Sequence, residues 1–214
     1  MNEPSAPGIP IWPPGATPPP GLLFVLSGPS GVGKDVALNL MRAQGFSLHF
    51  VVTTTSRPPR PGEVEGRDYH FVSPRRFQEM TAQDELLEWA LVYDEYKGIP
   101  KSQIRHALQG GRDVMLRVDV QGAATVRRLC PQAVFIFLAP PSLDELEHRL
   151  RARLTETPES LALRIARAPL EMAELPHFDY LVINRHGYLE IAVEHIKAII
   201  IAERCRVDRR DVAL

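Results

Sequence analysis

The sequence predicts an α/β three-layer fold, with a mostly parallel five-stranded core sheet flanked by helices and a further segment inserted between core units. Three observations carry this expectation. Short apolar runs alternate with amphipathic stretches along most of the chain, the pattern of buried parallel strands joined by helices. The alternation breaks between residues 50 and 100. A glycine-rich turn joins the first apolar run to the first amphipathic stretch.

In chain order, residues 1–20 hold 8 prolines and one charged residue, a composition that favours polyproline-like extension over a packed core. They read as a tail, either a ligand for a proline-binding groove or an extension without a role. They lack the basic and apolar regions of a signal peptide. The domain then begins near Gly21 and runs to residue 214. GLLFVLS leads to DVALNLMRAQ, DVMLRVD to VQGAATVRRL, AVFIFLA to SLDELEHRLRARL, and DYLVINR to YLEIAVEHIKAIIIAERC. Each is a short apolar run followed by a helix-like stretch. Within residues 51–100 lie Thr- and Pro-rich loops from Thr53 to Pro61, a strand-like YHFVS and a helix-like PRRFQEMTA.

Composition narrows the function. The chain has 214 residues, 44% hydrophobic and 24% charged, with net charge -1. It therefore has material for a sizeable core and no overall basic field for a nucleic-acid backbone or an anionic membrane. Of its 25 basic residues, 21 are Arg and 4 are Lys, which suits forked contacts to phosphate but is also what genome composition produces. Cys130 and Cys205 match no metal-ligand spacing or disulfide pattern, so a reducing, cytoplasmic location is expected. The seven histidines share no motif, and none is assigned to catalysis.

The run Gly28-Pro29-Ser30-Gly31-Val32-Gly33-Lys34-Asp35 follows one strand and opens a helix. It fits G-x-x-x-x-G-K except at its last position. Glycines let successive N–H groups turn inward, the helix start adds partial positive charge, and Lys34 adds a full one. Such a cradle suits a triphosphate. Asp35 stands where a Ser or Thr hydroxyl ordinarily meets magnesium. Its carboxylate either binds Mg²⁺ directly or through water, or faces away and caps the helix.

Together with this loop, TTTSRPPRPGEVEGRDYHFVS, LLEWALVY, VDVQGA and RLRARLTETPES resemble the guanylate kinase family, over about Gly21 to Arg206. The resemblance implies a P-loop fold with a GMP-binding insertion (about 51–100) and a short lid (about 149–165), transferring the γ-phosphoryl of ATP to GMP with Mg²⁺. It implies that ATP meets Gly28 to Asp35, Arg153 and Asn184. It implies that Lys34, Arg57, Arg149, Arg153 and Arg164 serve catalysis. The GMP phosphate would be gripped by Arg57, Arg60 and Tyr69, with Tyr96 nearby, and guanine would be read by Thr53 and Glu88. Asp119 matches an acidic residue close to the metal and phosphates. An already ionised acceptor phosphate needs no general base.

The chain departs from the family pattern at five positions. Asp35 replaces a hydroxyl residue, Lys97 a tyrosine near the GMP phosphate, and Ile99 a serine that reaches guanine. Arg117 replaces an acidic residue supporting guanine recognition, and Leu154 a lid glycine. Two alternatives stay open on the sequence. One is a kinase of ribose 1,5-bisphosphate, a related group that can carry G-K-D in this loop. The other is a catalytically silent interaction module.

Overall fold

The computed structural model describes residues 20–60, 62–92, 95–152, 158–210 and 212. The proline-rich tail up to residue 19, Arg153 and Leu154 lie outside them. The core sheet contains β1 (Leu23–Ser27), β2 (His49–Phe50), β7 (Val114–Arg117), β8 (Val134–Ala139) and β9 (Tyr180–Ile183). Their order is β2-β7-β1-β8-β9, and every pairing is parallel.

The central strand β1 is buried on both faces, which is why LFVLS shows no polar alternation. Successive side chains point to opposite sides of the sheet. Phe24 and Leu26 pack with α1 (Lys34–Ala43) and α7 (Leu189–Arg204) through Leu38, Met41, Val193 and Ile196. Leu23 and Val25 pack with α3 (Lys101–Gln109) and α4 (Val120–Leu129) through Ile104, Ala107, Ala123 and Val126. Two helical layers thus enclose one sheet, as the alternating pattern predicts.

Four of the five core strands coincide with the four apolar runs. The fifth, β2, is only two residues long and half-buried, too short to leave a periodic signal. Asp119 also sits differently from the sequence reading: β7 stops at Arg117, and Asp119 caps α4, its carboxylate accepting from Gly122 N at 2.7 Å. At α5 (Leu143–Arg151), Ser142 accepts from Glu145 N, Asp144 and Glu145 fill the first turn, and Arg149 and Arg151 the last. That distribution complements the helix dipole. The chain continues through α6 (Pro158–Ala173) and a 3-10 turn at Leu175–His177.

Residues 54–100 build a second sheet from β3 (Thr54–Thr55), β4 (His70–Phe71), β5 (Leu86–Val92) and β6 (Glu95–Pro100), in the order β4-β3-β6-β5. Helix α2 (Pro74–Ala82), capped by Ser73, places Phe77 and Met80 against Leu86 to form a small separate core. The Gln103 side chain accepts from Val52 N and donates to Val52 O, tying the entry of this sheet to α3. Among the described residues no helix is long and apolar enough to cross a membrane. Cys130 and Cys205 are free thiols.

Candidate active site

The glycine-rich turn lies between β1 and α1, at the carboxyl end of the parallel sheet, where open α/β folds collect ligands. Gly28 has φ of 140°, and a Cβ there would stand 2.0 Å from the Leu138 carbonyl oxygen. Only glycine fits that approach. The loop is braced from outside by Asn184, whose side-chain amide donates to Val32 O at 2.8 Å.

Lys34 folds back over the loop and donates to Gly28 O at 2.6 Å and Pro29 O at 3.1 Å. Burial depresses its pKa to about 8, opposed by Glu171, while Arg117 lowers it further. Glu171 of α6 accepts from Ser30 N at 2.9 Å, so a carboxylate occupies one of the loop's inward N–H groups. Arg164 donates to Ser30 Oγ at 2.8 Å. Arg149 reaches Val32 O and, at 2.7 Å, Asn184 O, and pairs with Glu145.

A cavity of about 350 Å³ opens beside this loop. One wall is Ser30 to Asp35 with Arg164; the other is Glu88, Lys97 and Ile99 of the second sheet with Thr53 just before it, and Arg117 and Asp119 also line the cavity. Glu88 is half-buried, and desolvation together with the Asp119 charge pushes its pKa up to about 7. Gly122 makes room for it: a Cβ there would lie 3.3 Å from the Glu88 carboxyl group. A second cleft of about 240 Å³ shares Asp35, Thr53 and Arg117 and extends to Glu63, Asp68 and Tyr69.

The guanylate kinase family profile matches residues 21–203. The chain belongs to the guanylate kinase family. It is 50% identical over 198 residues to guanylate kinase 2, chloroplastic/mitochondrial, of rice (Oryza sativa subsp. japonica), covering 92% of this chain and 70% of that protein. Identity to the guanylate kinase of Desulfitobacterium hafniense is 43% over 190 residues, covering 89% and 94%. The crystal structure of guanylate kinase from Anaplasma phagocytophilum superposes with a TM-score of 0.71 at 28% identity, covering 89% of this chain and 90% of that one.

Against the family expectation, the structure gathers Ser30, Gly31, Val32, Gly33, Lys34, Asp35, Thr53, Glu88, Lys97, Asp119 and Arg164 around one cavity. It does not bring Arg57, Arg60 or Tyr96 to that wall. Arg57 is 7% exposed; both arms of its fork meet Glu63 at 2.6 Å, and its plane lies over the Tyr69 ring. The expected phosphate grip is thus filled by a carboxylate, whose own pKa falls to about 2 under that pairing. Arg60 is exposed and faces Glu95 at 4.0 Å. Tyr96 stacks on Phe77 with ring centroids 5.1 Å apart, so its ring serves packing.

Asn184, expected near adenine, is buried and spends its donor on the loop carbonyl. Asp35 does not cap α1: its Oδ1 accepts from Arg117. Sequence reasoning gave no role to Glu63, although it lies within the TTTSRPPRPGEVEGRDYHFVS run, or to Glu171, which lies in none of the runs that carry the resemblance.

The donor set agrees with a magnesium ion brought in by a nucleotide. Among the described residues no group of three or more Asp, Glu, His or Cys side chains is placed to hold a metal. Asp35 and Asp119 both line the cavity, and hard oxygen ligands of this kind, one or two per ion, suffice when phosphates and waters supply the rest.

Proposed function

We propose that the protein transfers the γ-phosphoryl group of ATP to GMP, or to its deoxy counterpart, giving ADP and GDP. One observation carries this reading: the phosphate loop, Ser30 to Asp35, faces Thr53, Glu88 and Lys97 across a single cavity. A donor and an acceptor nucleotide laid end to end fill that arrangement.

The loop N–H groups and Lys34 take the β- and γ-phosphates of ATP. Glu88, once ionised, accepts from the N1–H and exocyclic amine of guanine, a pair of donors that adenine does not present together. Thr53 offers a hydroxyl beside it, and Lys97 places a point charge where the acceptor phosphate lies. Arg57, Arg60 and Tyr69 close on that phosphate when Glu63 yields its place. Asp35 and Asp119 would hold Mg²⁺, which when bound neutralises charge on the β- and γ-phosphates.

An oxygen of the GMP phosphate attacks the γ-phosphorus while the bond to the bridging β,γ-oxygen breaks. The electron pair of that bond stays on ADP. No proton has to leave the acceptor, so the residues act through alignment and charge. Arg164, linked to Ser30, and Arg149, seated on the loop, approach the donor side. Arg153 belongs to the same lid in the family pattern. The two free thiols support a reducing, cytoplasmic setting.

The test is ADP release in a coupled assay with Mg²⁺ and ATP. GMP is expected to support turnover at least about a hundredfold better than AMP, a discrimination that buried polar recognition provides. Equal rates with AMP and GMP would overturn the assignment of Glu88. Turnover of ribose 1,5-bisphosphate in place of GMP would overturn the substrate, and no ADP with either acceptor would overturn the enzyme.

A further inference from the structure

Two of the departures from the family pattern meet in space. Asp35 lies in the first turn of α1 and Arg117 ends β7. Arg117 Nη1 donates to Asp35 Oδ1 at 2.5 Å across 82 residues of sequence. The Arg117 side chain is 33% exposed and the Asp35 side chain 68% exposed. Both residues line the main cavity and also the adjoining cleft. They therefore stand where the donor and acceptor compartments join.

Arg117 is also under-used. A guanidinium carries five N–H donors, and the contact to Asp35 is its one hydrogen bond among the described residues. Arg57 presents the opposite case, with both arms committed to Glu63 and a further bond to Pro58 O. A permanently charged, forked donor with free N–H groups facing a cavity is suited to phosphate oxygens. Burial lowers the pKa of Lys34 and of Arg42, and the Arg117 charge adds to the lowering of each. In the family pattern this position is acidic and position 35 is a neutral hydroxyl. With both positions changed, Arg117 joins Lys34 beside the loop as a second cation, among the carboxylates of Asp35, Asp119 and Glu171 that act on Lys34.

We propose that Arg117 is a catalytic residue that binds the phosphoryl group in transit between the two nucleotides, with Asp35 as the positioning residue that holds its fork toward the junction. The inference rests on the phosphotransfer reading above. The transferring group passes from the bridging oxygen of ATP to the GMP oxygen, and Arg117 neutralises charge on its equatorial oxygens.

The experiment combines steady-state rates, calorimetry with GMP and with ADP, and thermal unfolding for the wild type, R117M, R117K, D35S and D35S/R117M. R117M is expected to lower kcat about a hundredfold, as loss of one pre-placed donor does, with both affinities within about threefold. R117K restores charge without the fork and recovers about tenfold of that loss. Measured at saturating Mg²⁺, so that weaker metal binding without the Asp35 carboxylate does not enter, D35S is expected to cost about tenfold in kcat alone and less than about twofold in the R117M background, because orienting an absent guanidinium has no value.

An R117M enzyme with wild-type kcat, a loss confined to GMP affinity, or equal D35S losses in both backgrounds would each overturn the inference. Should R117M fail to fold, R117K decides: a tenfold lower kcat at an unchanged melting temperature supports the proposal, and wild-type kcat overturns it. A wild type inert toward GMP overturns the functional reading itself, whereas a GMP-active wild type with any of the adverse patterns overturns this inference alone.

Discussion

Glu88 joins cost and use in one side chain. Its proposed role as the guanine reader is legible from the LLEWALVY run and the resemblance it carries. Its environment is not, because burial and the nearby Asp119 come from different segments. With its pKa raised from 4.5 to about 7, the folded state holds a proton that the unfolded chain has released. Stability on this account is complete below about pH 4.5 and falls as pH rises toward 7. Glu88→Gln is therefore expected to match the wild type in urea unfolding at pH 4. At pH 8 it should be more stable by on the order of 2 kcal/mol. The same change should abolish the GMP preference, and wild-type GMP affinity should rise between pH 6 and 8 relative to the variant. A stability gain at pH 4 equal to that at pH 8 would show that ionisation is not the cause.

At the scale of elements, the strand–turn–helix unit that carries Lys34 was legible, since a strand, a glycine-rich turn, a lysine and a helix are contiguous in the chain. What holds the loop was not. Asn184 lies at the end of β9, 152 residues from Val32, and donates to its carbonyl in a buried bond. Asn184→Ala leaves that acceptor with only the longer contact from Arg149 at 3.4 Å, a cost of about 1 kcal/mol. We expect a matching loss in denaturant unfolding, with the KM for ATP raised about tenfold and that for GMP changed less than threefold. Equal changes in both KM values would place the amide's effect elsewhere. The insertion was legible as a break in the strand–helix rhythm. Its strand β4 covers two residues of the expected YHFVS run, because pairing with the equally short β3 ends there.

Across the whole molecule, the decisive quantity is the charge collected around Lys34. Glu171, Arg117, Asp119 and Asp35 all act on it, drawn from α6, β7, the α4 cap and α1. Burial wins over the carboxylates and sets its pKa to about 8. Phosphates favour the ammonium form, so nucleotide binding raises that pKa and takes up a proton. At pH 8 calorimetry in two buffers of different ionisation enthalpy should show uptake of about half a proton per ATP, falling toward zero at pH 6.5. Uptake that persists in Lys34→Met would assign the proton to another group.

The sequence by itself determined the layered α/β architecture, the place of the phosphate loop and the family, because those depend on contiguous patterns of apolar runs and motif spacing. Only the tertiary structure decided which charges face one another: Glu63 in the fork of Arg57, Glu171 on Ser30, Asp35 against Arg117. Electrostatic pairing depends on separations of a few ångströms between residues far apart in the chain, and one-dimensional spacing carries no record of those distances.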